Sequence, residues 1–228
     1  MIEESLTLRP GRPKDPAKRD EIVTAATDLF MLKGYELTSM EAVAKLASVS
    51  KLTIYSHFAD KNELFRAIVQ NRCDRIGMPR AFEAEARMPV KEALLQIATF
   101  ASANIFREES LRLMRMIQAE ATQHPEIIET YYEVGPRRVK RAFAELLAEF
   151  DRQGQLKVPD PVLATEQFFS LLKGERLMRT LMMMAPSPTA EELARHAAST
   201  VAFFLRAYQL NTSELDISER QTPKTETP

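Results

Sequence analysis

The stretch Gly34–Leu64, GYELTSMEAVAKLASVSKLTIYSHFADKNEL, constrains the fold more than any other part of the chain. Thr38 is followed three residues later by Glu41, the spacing at which a hydroxyl and a carboxyl reciprocally cap a helix start. Met40, Val43, Ala44 and Ala47 then recur at helical spacing and give one apolar face. Ser48-Val49-Ser50 interrupts that pattern, and Ser50 stands where it can cap a second helix running from Lys51 to Phe58. Asp60 and Glu63 repeat the cap-and-carboxyl spacing and start a third helix at Lys61. Two short helices joined by a tight turn, the second carrying Lys51, Thr53, Tyr55, Ser56 and His57, match the helix-turn-helix plan for major-groove DNA.

These residues also resemble the DNA-binding domain of the TetR family of bacterial transcription regulators. Gly34, Thr38, Val43, Ala44, Ala47, Val49, Ser50, Thr53, Ile54, Tyr55, His57, Phe58, Lys61 and Leu64 carry the resemblance, which covers roughly residues 18–72. Ser48 and Leu52 stand where the family usually has glycine. Ser48 is therefore expected to tolerate a left-handed turn conformation, at a cost of roughly 1–2 kcal/mol. Leu52 puts an apolar side chain on the recognition helix, where thymine methyl contact is one use. By family position, Thr38, Tyr55, His57 and Lys61 are expected at phosphates, and Lys51, Leu52 and Ser56 at base edges. Ser50 and Thr53 complete the expected DNA-binding set.

Ahead of this segment, residues 1–16 read as a flexible arm. Arg9, Arg12 and Lys14 in it and Lys18 and Arg19 just beyond it form a basic cluster, opposed only by Asp15 before Asp20. Pro10 and Pro13 bias their predecessors away from helix, so the arm stays extended. An extended Arg-rich arm beside a helix-turn-helix suits the adjacent minor groove, with Arg9, Arg12 and Lys14 as contacts; a solvated terminus is the plain alternative. Such local charge matters because the whole chain is nearly neutral, with a net charge of −1.

The rest of the 228-residue chain reads as helical, and the expected fold class is all-α. Six glycines, no tryptophan and little clustering of β-branched residues point that way. Ile22, Val23, Ala26, Leu29 and Phe30 form the core stripe of a helix ended by Gly34. Further helices are expected at Val90–Arg107, Ser110–Gln123, Ile127–Val134, Arg137–Gln153, Pro161–Met184 and Thr189–Tyr208, with a kink or break at Gly135-Pro136. The domains are accordingly an arm (1–16), a DNA reader (17–64), a helical regulatory and dimerisation domain (65–210) and a polar, disordered tail (211–228). With Cys73 the only cysteine, no intramolecular disulfide is possible, which suits a reducing cytoplasm. No apolar run reaches the length of a membrane span, and the start lacks a signal core, so neither insertion nor export is expected.

The second domain offers no catalytic constellation. His57, His124 and His196 lie far apart and show no metal-ligand spacing, and there is no phosphate-binding glycine loop, so no cofactor or metal is expected. Its apolar inventory is large, and an ordinary helical core explains any single member of it. The family resemblance implies, for the domain as a whole, a pocket for a small-molecule inducer. The passages QAEATQHPEIIETYYEVGP, DRQGQL and DPVLATEQFFSLLKG also resemble the C-terminal domains of AefR-type members. Placed polar groups in an apolar setting orient ligands. The ligand candidates are therefore Asn104, Gln118, Glu120, His124 and Gln167, with Phe100, Met114, Ile117 and Phe168 beside them.

The last two helices carry more apolar surface than one packed face needs, and in the family this pair forms a four-helix bundle with its copy. Phe169, Leu172, Leu181, Val201, Phe204, Leu205 and Tyr208 are the expected interface. Two-fold symmetry suits a reader whose recognition helix spans only a half-site. The expectation is a homodimer on a roughly palindromic DNA operator, released by a hydrophobic small molecule. An activator of the same family, a chromosome- or division-control DNA binder and, least supported, an enzyme remain alternatives.

Overall fold

The computed structural model describes residues 15–77, 82 and 85–209. The arm residues Arg9, Arg12 and Lys14, and the tail from 211 onward, lie outside the described residues. Among those described, all regular structure is helical. Helices α1 (Pro16–Lys33), α2 (Met40–Leu46), α3 (Lys51–His57) and α4 (Lys61–Ile76) come first. Then follow α5 (Val90–Ile105), α6 (Glu108–Glu120), α7 (Pro125–Tyr132), a π-turn (Glu133–Arg137), α8 (Arg138–Arg152), α9 (Pro161–Leu181) and α10 (Ala190–Tyr208).

Local chemistry sets the ends of the first four helices. Gly34 closes α1 at φ 84°, in a region that a β-carbon disfavours. The start of α2 differs from the expected Thr38–Glu41 box: Ser39 is the cap, its Oγ accepting the Ala42 N–H at 3.1 Å. Thr38 is buried instead, and its hydroxyl donates to the Gly34 carbonyl at 2.8 Å. Ser48 does adopt the left-handed conformation, at φ 53°. Ser50 caps α3 by accepting the Thr53 N–H at 3.0 Å. Asp60 caps α4 through the Glu63 N–H at 2.7 Å, while Glu63 reaches back to the Ala59 N–H, one residue earlier than a regular box would.

Two large cores result. The first joins Ile22 and Phe30 of α1 to Val43, Ile54, Phe58, Leu64 and Phe65, and it also takes in Leu113, Ile117 and Ile127 from α6 and α7. Packing is therefore continuous from the DNA reader into the second domain. The second core gathers Leu94 and Ile97 of α5, Phe143, Leu147 and Phe150 of α8, Phe168 and Leu172 of α9, and Phe204 of α10. Each such side chain, fully buried, contributes about 1.5–3 kcal/mol of transfer free energy. In this core α10 lies along α5, and α9 along α8.

Two irregularities shape the second domain. Pro136 cannot donate a backbone N–H, and the chain answers with the π-turn, so that α7 and α8 run on through it without a full break. Gly135 at its centre lies against α4, where an added β-carbon would sit 3.5 Å from Cys73 Sγ. The expected single helix Pro161–Met184 is kinked at Gly174, whose φ 51° and ψ −169° are not helical. It ends at Leu181.

Candidate nucleic-acid interface and apolar cavity

The face of α3 opposite its buried Ile54 is bare. Lys51, Leu52, Tyr55 and Ser56 point to solvent, Leu52 at 83% exposure. Ser50 and Thr53 are tied to each other, hydroxyl to hydroxyl, at 2.8 Å, and the Ser56 hydroxyl donates to the Thr53 carbonyl at 2.7 Å. Lys51 Nζ lies 2.5 Å from Glu41 Oε1, and that shared bond lowers the Glu41 carboxyl pKa and raises that of the Lys51 ammonium. Both groups are on the surface, so a phosphate can replace the carboxylate readily. His57 is half-buried at the helix end beside Phe58. Arg19 of α1 lies over the Phe58 ring at 5.2 Å, which adds a cation to this face.

Two expected phosphate contacts are placed otherwise. Thr38 is only 2% exposed and spends its hydroxyl on Gly34. Lys61 donates from Nζ to the Tyr35 carbonyl at 3.0 Å and the Glu36 carbonyl at 3.3 Å, with its ammonium 4.3 Å from the Tyr35 ring. Its charge is thus committed to the loop between α1 and α2.

The same loop is gripped from the other side. Glu120, at the end of α6, accepts the Tyr35 N–H at 3.0 Å and the Glu36 N–H at 3.2 Å through one oxygen. His124 Nε2 lies 2.6 Å from Glu36 Oε2, its Nδ1 lies 3.1 Å from Glu126, and its ring meets Tyr35 edge-on. Desolvation pulls the His124 pKa down, but the hydrogen bonds its ring donates to Glu126 and Glu36 outweigh it and raise the imidazole. Burial, with the neighbouring Glu126, Asp60 and Glu36, pushes the Tyr35 phenol up to about 12. Glu120 and His124, read as ligand groups, thus serve as a latch between the domains. Gly34 belongs to it: a β-carbon there would lie 2.7 Å from Glu120 Oε1. Gly34→Ala should destabilise the protein by about 1–3 kcal/mol, since its backbone occupies a region almost reserved for glycine; urea melts of the two proteins check this.

Behind α4 lies a cavity of about 340 Å³. Ile76 of α4, Ala101 and Ile105 of α5, Met114 of α6, Tyr131 and Tyr132 of α7 and Phe169 of α9 supply much of its apolar lining. Gly135 and Pro136 of the π-turn close one side. Of the ligand candidates, Asn104 and Met114 line it. The others are elsewhere. Phe100 is 43% exposed and borders a neighbouring, more polar cleft. Ile117 belongs to the first core and Phe168 to the second, where it packs edge-on against Phe169 and Phe204. Gln118 faces solvent, and Gln167, also exposed, accepts from the Tyr208 hydroxyl at 2.6 Å. Lys173, Lys140 and Arg72 also line the cavity and were missed by sequence reasoning. Only Lys173 carried a local signal, as a cation directly after the apolar pair Leu171-Leu172.

The expected interface residues turn mostly inward. Phe169, Leu172, Val201 and Phe204 are buried within one chain, because each packs on α5 or α8. Leu205 and Tyr208 rest against the same core, and Leu181 against a small cluster around Phe106 and Leu111. The apolar side chains that α9 and α10 leave exposed are others: Val162, Leu163, Met178 and Phe203, with Ala194, Ala198 and Ala202 also open to solvent. Among the described residues no cluster of His, Cys, Asp and Glu could hold a metal, and no helix is long and apolar enough to cross a membrane.

Known proteins share both halves. The family model of bacterial regulatory proteins, tetR family, matches residues 22–68, and that of the AefR-like transcriptional repressor, C-terminal domain, matches residues 92–210. The transcriptional activator FasR of Mycolicibacterium smegmatis is 36% identical over 64 residues, which span 28% of this chain and 29% of FasR. A crystal structure from Mesorhizobium loti, described as a TetR-family transcriptional regulator, superposes with a TM-score of 0.77 at 31% identity, covering 85% of this chain and 98% of that one. The flavonoid-responsive regulator FrrA is 28% identical with a TM-score of 0.73, covering 87% of this chain and all of that one (100%).

Proposed function

The chain belongs to the TetR family of bacterial DNA-binding transcription regulators, which are not enzymes, and from that premise we propose that it binds a palindromic operator as a homodimer and is released by a small apolar molecule. One observation supports the ligand step above the rest. Helix α4 carries Lys61 at one end, on the loop that leads into the DNA reader, and lines the half-open cavity with Arg72 and Ile76 at the other. A molecule seated in the cavity touches the same helix whose position sets the aim of α3. A ligand shifts such an equilibrium only by its differential affinity for the two states, so an effector must fit the cavity better in the form that does not grip DNA.

Relatives divide on the sign of control, since FasR is named an activator and the AefR-like domain a repressor. We take the repressor reading, because the AefR-like match covers the domain that holds the cavity. FrrA, named as responsive to flavonoids, supports a planar or apolar effector. Operator titration tests the DNA half. Lys51→Ala should weaken operator binding by about 1–3 kcal/mol and relax the preference at the base it reads, as expected for one lost base-edge contact. Tyr55→Ala should weaken binding with helical content intact. If Lys51→Ala and Tyr55→Ala both bind like the parent protein, α3 is not the reader.

A further inference from the structure

The electrostatics of the cavity are lopsided. Among the described residues its lining includes three cations, Arg72, Lys140 and Lys173, and no carboxylate. Two of the three are neutralised from outside it. Arg72 donates to the Ser110 hydroxyl at 2.5 Å and lies 3.6 Å from Glu109. Lys140 lies 3.7 Å from Glu166 and 3.5 Å from the Tyr132 hydroxyl. Lys173 has no hydrogen-bond or ion-pair partner among the described residues, and it is half-buried one turn from Phe169. Burial, reinforced by Lys140, lowers its pKa. A desolvated, unpaired ammonium is costly to keep, and an anion brought by a ligand would relieve that cost.

We infer that the cavity takes an amphipathic organic monoanion, with an apolar body among Met114, Tyr131 and Phe169 and a carboxylate or phenolate on Lys173. This rests on the reading of the cavity as the effector site and names the class of molecule that enters it. A volume of about 340 Å³ suits a small ring system or a medium-length chain. A dianion or a polyphosphate is disfavoured, because the other two cations already have partners. Charge-assisted hydrogen bonds are about twice as strong as neutral ones, so Lys173 acts as a selector of charge as well as an anchor.

The neutral fluorophore N-phenyl-1-naphthylamine reports on the cavity without using charge. It is loaded into the full-length protein at pH 7.5 and displaced by matched pairs, decanoate against decanol and 2-naphthoate against 2-naphthalenemethanol. The two pairs distinguish a chain from a ring as the apolar body. The acid of the better pair should compete at least about tenfold more strongly than its alcohol, the preference expected of a charge-assisted bond. Lys173→Met should bring the two close to parity, Lys173→Arg should restore the preference, and Lys140→Met should leave it. Equal competition by acid and alcohol in the parent protein overturns the inference, as does a preference that survives in Lys173→Met. Met114→Trp, which narrows the cavity, should weaken the fluorophore itself. If it does not, or if the fluorophore fails to bind, the cavity reading falls and the inference falls with it.

Discussion

Leu163→Glu combined with Phe203→Glu should give a folded monomer whose operator binding drops into the non-specific range, a loss of about a thousandfold or more. Both side chains are apolar and largely open to solvent on the last two helices, at 48% and 54% exposure. They need no repacking when changed, so helical content should survive. A bundle that buries them against a second copy would instead face buried, unpaired carboxylates on both sides of its axis. A monomer then offers one recognition helix to a two-fold site and loses half of the contacts that give specificity. The contrast with Phe204 sharpens the test. Phe204 is 1% exposed and packs on Phe168 and Tyr208, so Phe204→Glu should unfold the second core and say nothing about assembly. Light scattering, far-UV circular dichroism and operator titration on each variant separate the two outcomes. A double variant that still scatters as a dimer would put the interface on another face.

The neighbouring pairs Phe203/Phe204 and Phe168/Phe169 show where sequence reading stops. Helical spacing announced an apolar stripe on each helix, and the stripe is there. Which of two adjacent aromatics faces its own core depends on how α10 lies on α5 and α9 on α8, which no local pattern encodes. Short-range chemistry was far more legible. Ser50 and Asp60 cap the helices they were expected to start, Thr189 opens the last helix as its cap, and Ser48 takes the left-handed turn. Thr38 and Ser39 were confusable because two adjacent hydroxyls stand at almost equal distance from Glu41, and only burial decides which one is free to cap. The kink at Gly174 was hidden by unbroken apolar spacing on either side. Lys61, Glu120 and His124 drew attention as polar groups in the right regions, yet their partners in the α1–α2 loop are contacts that local spacing does not contain.

That loop is where the second large effect is expected. Glu120→Ala combined with His124→Ala should leave a protein that binds operator and effector separately but couples them much more weakly. Glu120 sits at the end of α6, and Met114 and Leu113 of the same helix line the cavity. A ligand that shifts α6 therefore pulls on the Tyr35 and Glu36 N–H groups, which Lys61 holds from their carbonyl side. With the grip intact, the acid that displaces the fluorophore should weaken operator binding by roughly 5- to 150-fold, and operator should weaken acid binding equally. In the double variant both factors should fall by at least about threefold, the coupling that remains passing through α4. The latch should also depend on pH. Its histidine is raised above the ordinary value by Glu126 and Glu36 in the folded state, so its contribution is complete below the unfolded value and is lost as pH rises through the raised one. Coupling measured in the parent protein at pH 6 should therefore exceed coupling at pH 9, whereas His124→Ala alone should flatten that difference. Full coupling in the double variant would assign the signal to α4 alone and leave the latch as a purely structural joint.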